Sequence, residues 1–185
     1  MLGLAGIVGG AVLLVVFLPL PDWGTQLNSV RLALFNLGAI AIVIGVHRRQ
    51  AWVAGQVAQL AAALAVLANA WHLVMMVVAT AREAPFAGDF GLVYFYAGVS
   101  MWLTDAAFAV VTLRLGVVTR WGALALAIGS VLAILGMGRL ELTTVANPTI
   151  FLPLSLIGVA LNGLGWILLG LDLVMRGDEP AGQLV

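Results

Sequence analysis

Residues 52–79 read WVAGQVAQLAAALAVLANAWHLVMMVVA, a run without one charged side chain. A helix rises about 1.5 Å per residue, so about 20 apolar residues cross the roughly 30 Å hydrocarbon core of a bilayer. A lone strand cannot cross, because its backbone polar groups would go unpaired in lipid. The run therefore reads as a transmembrane helix. Five further stretches meet the same criterion, at about 2–20, 30–46, 91–113, 121–138 and 149–175. The short connections between them hold nearly all the charge. The expected architecture is all-α: a polytopic membrane helix bundle of six transmembrane helices over residues 1–176, with a short flexible tail at 177–185.

Composition points the same way. Hydrophobic residues make up 63% of the 185 and charged residues only 9%, with a mean hydropathy of +1.15. A soluble domain carries roughly 25% charged residues because its surface must face water. The eight basic residues balance eight acidic ones, which gives no field to attract nucleic acid and excludes it as a partner. All eight basic residues are arginine. Without lysine, a Schiff-base cofactor has no attachment point and a phosphate loop lacks its cation. Without cysteine, disulfides, thiolate metal sites and cysteine nucleophiles are excluded together. The first 20 residues contain no basic residue and run into Leu18-Pro19-Leu20-Pro21-Asp22, so they read as a retained helix and not as a signal peptide.

Arg48, Arg49, Arg114, Arg120 and Arg176 fall at one side of the six spans, and Arg31, Arg82 and Arg139 at the other. The positive-inside rule places the five-arginine side, and with it both termini, in the cytoplasm. A prokaryotic plasma membrane is the expected location. Asp22, Glu83, Asp89 and Glu141 then lie outside. Trp52 and Trp71, 19 residues apart on the third span, match the two aromatic belts, and Trp23 and Trp121 fit the same reading. His72, beside Trp71, is expected in water at the outer interface. Small residues four apart, Gly6 with Gly10, Ala54 with Ala58 and Ala62, and Ala125 with Gly129, suggest faces of close helix approach. Asn147-Pro148 suits a helix start.

Polar residues inside the spans are the candidates for function. Asn36, Asp105 and Asn162 precede Arg49, Arg120 and Arg176 by 13 to 15 residues. That spacing predicts one shared depth, roughly 20 Å along each helix and toward the outer leaflet. Gapless superposition of Leu34–Trp52 on Leu103–Trp121 also pairs Asn36 with Asp105 and His72 with Glu141, although Ala- and Leu-rich helices produce such matches by chance. Asp105 matters most, since a carboxylate within a membrane helix is costly and usually faces the bundle interior or a water-filled cavity. It reads either as a proton-carrying or cation-binding group, or as a helix-to-helix hydrogen-bonding group with Asn36 or Asn162 as its partner. Asn69, Gln56 and Gln59 read as interhelical hydrogen-bonding residues. Arg31 and Arg82 are expected to snorkel to the surface.

Enzyme chemistry finds little support. No HExxH occurs, and the serine of Gly98-Val99-Ser100-Met101-Trp102 lacks the second glycine of a nucleophile elbow. A haem between His72 and His47 would need ligands at opposite membrane faces, so no cofactor and no metal is expected. The functional expectation is a small transport or ligand-binding bundle with Asp105, Asn36 and Asn162 as its polar site. The alternative is a structural or accessory subunit without catalysis or transport of its own. The lipid bilayer is the expected partner, with room for a membrane-protein partner or a homo-oligomer.

Overall fold

In the computed structural model, residues 2–16, 24–81, 88–142 and 148–176 are described. They form six helices and no strand: α1 Leu2–Val16, α2 Gly24–Gln50, α3 Gln56–Thr80, α4 Gly88–Leu115, α5 Arg120–Leu142 and α6 Pro148–Arg176. Four helical segments are long and apolar enough to cross a membrane, namely Val30–Gln50, Gln56–Thr80, Asp89–Leu115 and Pro153–Arg176. The expected spans at 2–20 and 121–138 correspond to shorter apolar segments, Leu2–Val12 and Arg120–Gly136.

Each helix packs on its neighbours in sequence, and α6 returns to α1, so the bundle closes into a ring. The tight connections at 51–55 and 116–119 force α2 and α3, and then α4 and α5, to run antiparallel. The turn after α4 uses Gly116 at φ 66°, the left-handed region that a glycine enters without steric cost. Its N–H donates to the carbonyl of Thr112 at 3.2 Å, a glycine-capped helix end. Large apolar side chains fill the ring: Phe35, Trp102, Phe108, Leu126, Trp166 and Leu169 are all buried, with Phe35 stacked on Trp102 at 6.2 Å. The outward faces carry leucine, valine and isoleucine, as lipid contact requires.

Packing between α1, α6 and α5 runs through backbone. A side chain at Gly10 would meet the carbonyl oxygen of Gly163 at 2.7 Å, and one at Gly129 would collide with the backbone of Asn162 and Gly158. Two members of the small-residue pattern therefore mark true close approaches. Ala54 does not belong with them, because α3 begins at Gln56 and Ala54 lies in the turn before it. Trp52 lies in that same turn and not on the helix. Pro148 opens α6, and Pro153 falls near enough to that end to be accommodated. Asp22, Trp23, Arg82, Glu83 and Asn147 lie outside the described residues, as do the side chains of Arg139 and Glu141, including the expected His72–Glu141 correspondence.

Candidate functional site

Polar side chains meet at three of the helix contacts. Between α2 and α3, Asn36 lies against His72, with Asn36 Nδ2 at 3.0 Å and Asn36 Oδ1 at 3.2 Å from His72 Nδ1; the tautomer decides which end of the carboxamide is used. Between α3 and α4, Asn69 Nδ2 donates to Asp105 Oδ1 at 2.8 Å. Between α5 and α6, Asn162 Nδ2 donates to Ser130 Oγ at 2.9 Å. Asp105 and the three asparagines are fully buried, and His72 is 4% exposed.

The same local device recurs in the first two pairs. Asn36 donates to the carbonyl of Leu32 at 2.6 Å and Asn69 to that of Ala65 at 2.9 Å, each one turn back on its own helix. These bonds hold each carboxamide in a fixed orientation while its remaining capacity reaches the neighbouring helix. Both cross-helix pairs are 36 residues apart in sequence, the spacing that two antiparallel helices and their connection produce.

The three pairs lie at nearly one level of the ring. Asn69 and His72 are one turn apart on α3. Asp105 precedes the end of α4 by as many residues as Ser130 follows the start of α5, so the two are level across that turn. The shared level expected for Asn36, Asp105 and Asn162 is therefore approximately kept, but its position changes. Because α4 stops at Leu115, Asp105 is about 15 Å from that helix end, nearer mid-bundle than a count to Arg120 implies.

The pairing expected for Asp105 is corrected. Its hydrogen-bond partner is Asn69, whereas Asn36 pairs with His72 and Asn162 with Ser130. The three site residues belong to one polar belt and not to one cluster. His72 is also corrected from a water-exposed position to the α2–α3 interface. Its ring lies 5.5 Å from that of Tyr94 on α4. Trp71 is 43% exposed as expected, but the next helical position turns by about 100° and faces inward. Gln56 and Gln59 are exposed and take no part.

The Asn69–Asp105 pair leaves an acceptor unmatched on each partner, whereas the Asn162–Ser130 pair leaves one, Asn162 Oδ1. Asp105 Oδ2 and Asn69 Oδ1 are both buried with no hydrogen-bond partner. Met101, Trp102, Phe108 and Ala109 are buried along the same stretch of α4 and give the carboxyl an apolar surround. An ionised carboxylate left without a counter-charge there carries a heavy desolvation cost. A proton or a small cation taken up at the carboxyl would reduce that cost. The cavities lined by described residues include one of about 600 Å³ beside Arg120 and Arg176, one of about 440 Å³ between α2 and α3, and one of about 280 Å³ beside Arg31. None of these three reaches Asp105.

A second buried carboxylate went unassigned in the sequence. Asp172 on α6 is 2% exposed, and its Oδ1 takes an ion pair from Nε of Arg176 at 3.2 Å. The four-residue spacing of Asp172 and Arg176, near the last charged turn of an apolar span, is the signal that could have marked it.

Compared with protein-family models, with curated proteins and with solved structures, the chain has no match in any of the three.

Proposed function

We propose that the chain is an integral membrane protein that crosses a prokaryotic plasma membrane six times with both ends in the cytoplasm, and that it is a transport or ligand-binding bundle. In this reading Asp105 takes up a proton or a small monovalent cation, and Asn69 is its direct partner. Asn36 and Asn162 hold the flanking helices at the same level. The observation that carries the reading is the pair of buried, unpartnered oxygens, Asp105 Oδ2 and Asn69 Oδ1, on one hydrogen-bonded pair of side chains. Each unmatched acceptor costs about 1–3 kcal/mol, and this pair carries one on both of its members, where Asn162–Ser130 carries one only.

A second reading also has support. A structural or accessory subunit would enclose Asp105 against a neighbouring helix, and none of the three described cavities opens onto that carboxyl. Vesicles reconstituted with the protein, loaded with a pH-sensitive or sodium-sensitive dye and given an imposed gradient, separate the two readings. The transport reading expects faster dissipation than in protein-free vesicles, lost in Asp105→Asn. Folded wild-type protein that leaves the gradient untouched would favour the accessory role. Reporter fusions test the topology: those after Arg49, Arg120 and Arg176 should report cytoplasm, and those near Asp22, Glu83 and Glu141 the outside. Mixed labelling would break the span count.

A further inference from the structure

The cavity of about 600 Å³ lies at the five-arginine end of the bundle, where the α4–α5 turn meets the last turn of α6. Arg120 and Arg176 line it from two different helices, with Thr119 and Gly116 from the turn and Leu113 and Leu124 as apolar wall. Both guanidinium groups are exposed and both are held in place. The Arg120 guanidinium sits 5.2 Å from the ring centroid of Trp121, and Arg176 is tied through Nε to Asp172. That ion pair is made through Nε, and the Arg176 guanidinium, 59% exposed, still lines the cleft with Arg120. Two anchored guanidinium groups facing one cleft match the planar, multidentate recognition of a phosphate group.

The turn adds donors of the same sign. Ala123 N–H donates to the carbonyl of Thr119 at 3.3 Å, so the N–H groups ahead of it in α5 have no acceptor within the helix. Thr119 and Arg120, where this helix starts, line the cleft, and an open helix N-terminus complements negative charge. The leucine wall continues onto the outer surface of the bundle, where Leu124 is exposed.

We infer that this cleft is a phosphate-binding site, separate from the belt around Asp105. A phospholipid headgroup and a free phosphate offer the same chemistry, and the two arms of the test tell them apart. In the first, the full chain in detergent is incubated with dioleoyl phosphatidylglycerol, or with a diacylglycerol that lacks the phosphate, and retained adducts are counted by native mass spectrometry. In the second, equilibrium dialysis follows radiolabelled inorganic phosphate.

Wild-type protein should hold at least one of the two phosphate probes and ignore the diacylglycerol. Arg120→Gln should weaken retention about tenfold, the effect of losing one charge-assisted contact. It leaves the Arg176–Asp172 ion pair intact, so it isolates binding from folding; Arg176→Gln should weaken retention similarly. Arg114→Gln removes a charge at the same end but outside the cleft, and should bind as wild type does. Retention of phosphatidylglycerol alone assigns the site to lipid, and retention of inorganic phosphate assigns it to a free anion. The inference is overturned if neither probe binds, if Arg120→Gln and Arg176→Gln bind normally, or if Arg114→Gln loses as much.

Discussion

The two sides of the ring are joined by different means. Around α1, α6 and α5, glycines bring backbone against backbone, as at Gly10 with Gly163 and at Gly129 with Asn162 and Gly158. Around α2, α3 and α4, side chains bridge the helices through Asn36–His72 and Asn69–Asp105. Backbone contact leaves no room to adjust and no capacity to spare. Side-chain bridges can exchange partners, and here one of them holds two unmatched oxygens. The glycine side therefore reads as the frame of the bundle, and the α3–α4 contact is where the proposed uptake of a proton or ion would take place. Ser130–Asn162 is a polar pair within the frame, which makes it the internal control for the comparison.

If the frame is rigid, the largest single effect belongs to Gly129→Leu. Its side chain would have to displace the α6 backbone, at a cost of about 3 kcal/mol, and folded protein recovered from membranes should fall sharply. Normal recovery and unchanged thermal unfolding would show that this side yields, and the contrast would be lost. Next comes Asp105→Leu, which strands the Asn69 amide in an apolar interface and should cost about 2 kcal/mol by reversible unfolding in detergent. Asp105→Asn keeps the shape and should cost less than half as much. Equal losses for the two substitutions would place the role of Asp105 in its volume and not in its polar group.

Smaller effects come from the pairs without spare acceptors on both partners. A double-mutant cycle of Asn36→Ala with His72→Ala should return a coupling of about 0.6 kcal/mol, the usual size within membranes. The cycle of Asn162→Ala with Ser130→Ala should give about the same. A coupling near zero at Ser130–Asn162 would mean that glycine contact alone holds the frame. A value several times larger would make that pair a second functional centre.

The helical architecture was legible because lipid imposes a length and a charge rule that residues 52–79 obey openly. Which helices become neighbours was not legible. Asp105 and Asn162 lie at similar distances from their arginines, but α4 packs on α3 and α5 while α6 packs on α5 and α1, so Asn69 reached the carboxyl first. A count to Arg120 overstates the distance of Asp105 from its helix end, because α4 ends at Leu115, before the turn that carries the chain to that arginine. His72 was misread for a simpler reason. Trp71 is exposed on α3, but neighbouring positions on a helix face different directions, and only packing decides which one turns inward. The Asp172–Arg176 pair was visible in its spacing, while its burial was not.

The central claim is that the Asn69–Asp105 pair takes up a proton or a monovalent cation, and thermal unfolding of the purified protein tests it most directly. Wild type and Asp105→Asn would be melted across about pH 5 to 9, and in lithium, sodium or potassium chloride at one ionic strength. The account predicts that the wild-type midpoint moves with pH or with the identity of the cation, and that folded Asp105→Asn lacks that movement. Parallel curves for the two proteins across the whole series would contradict it.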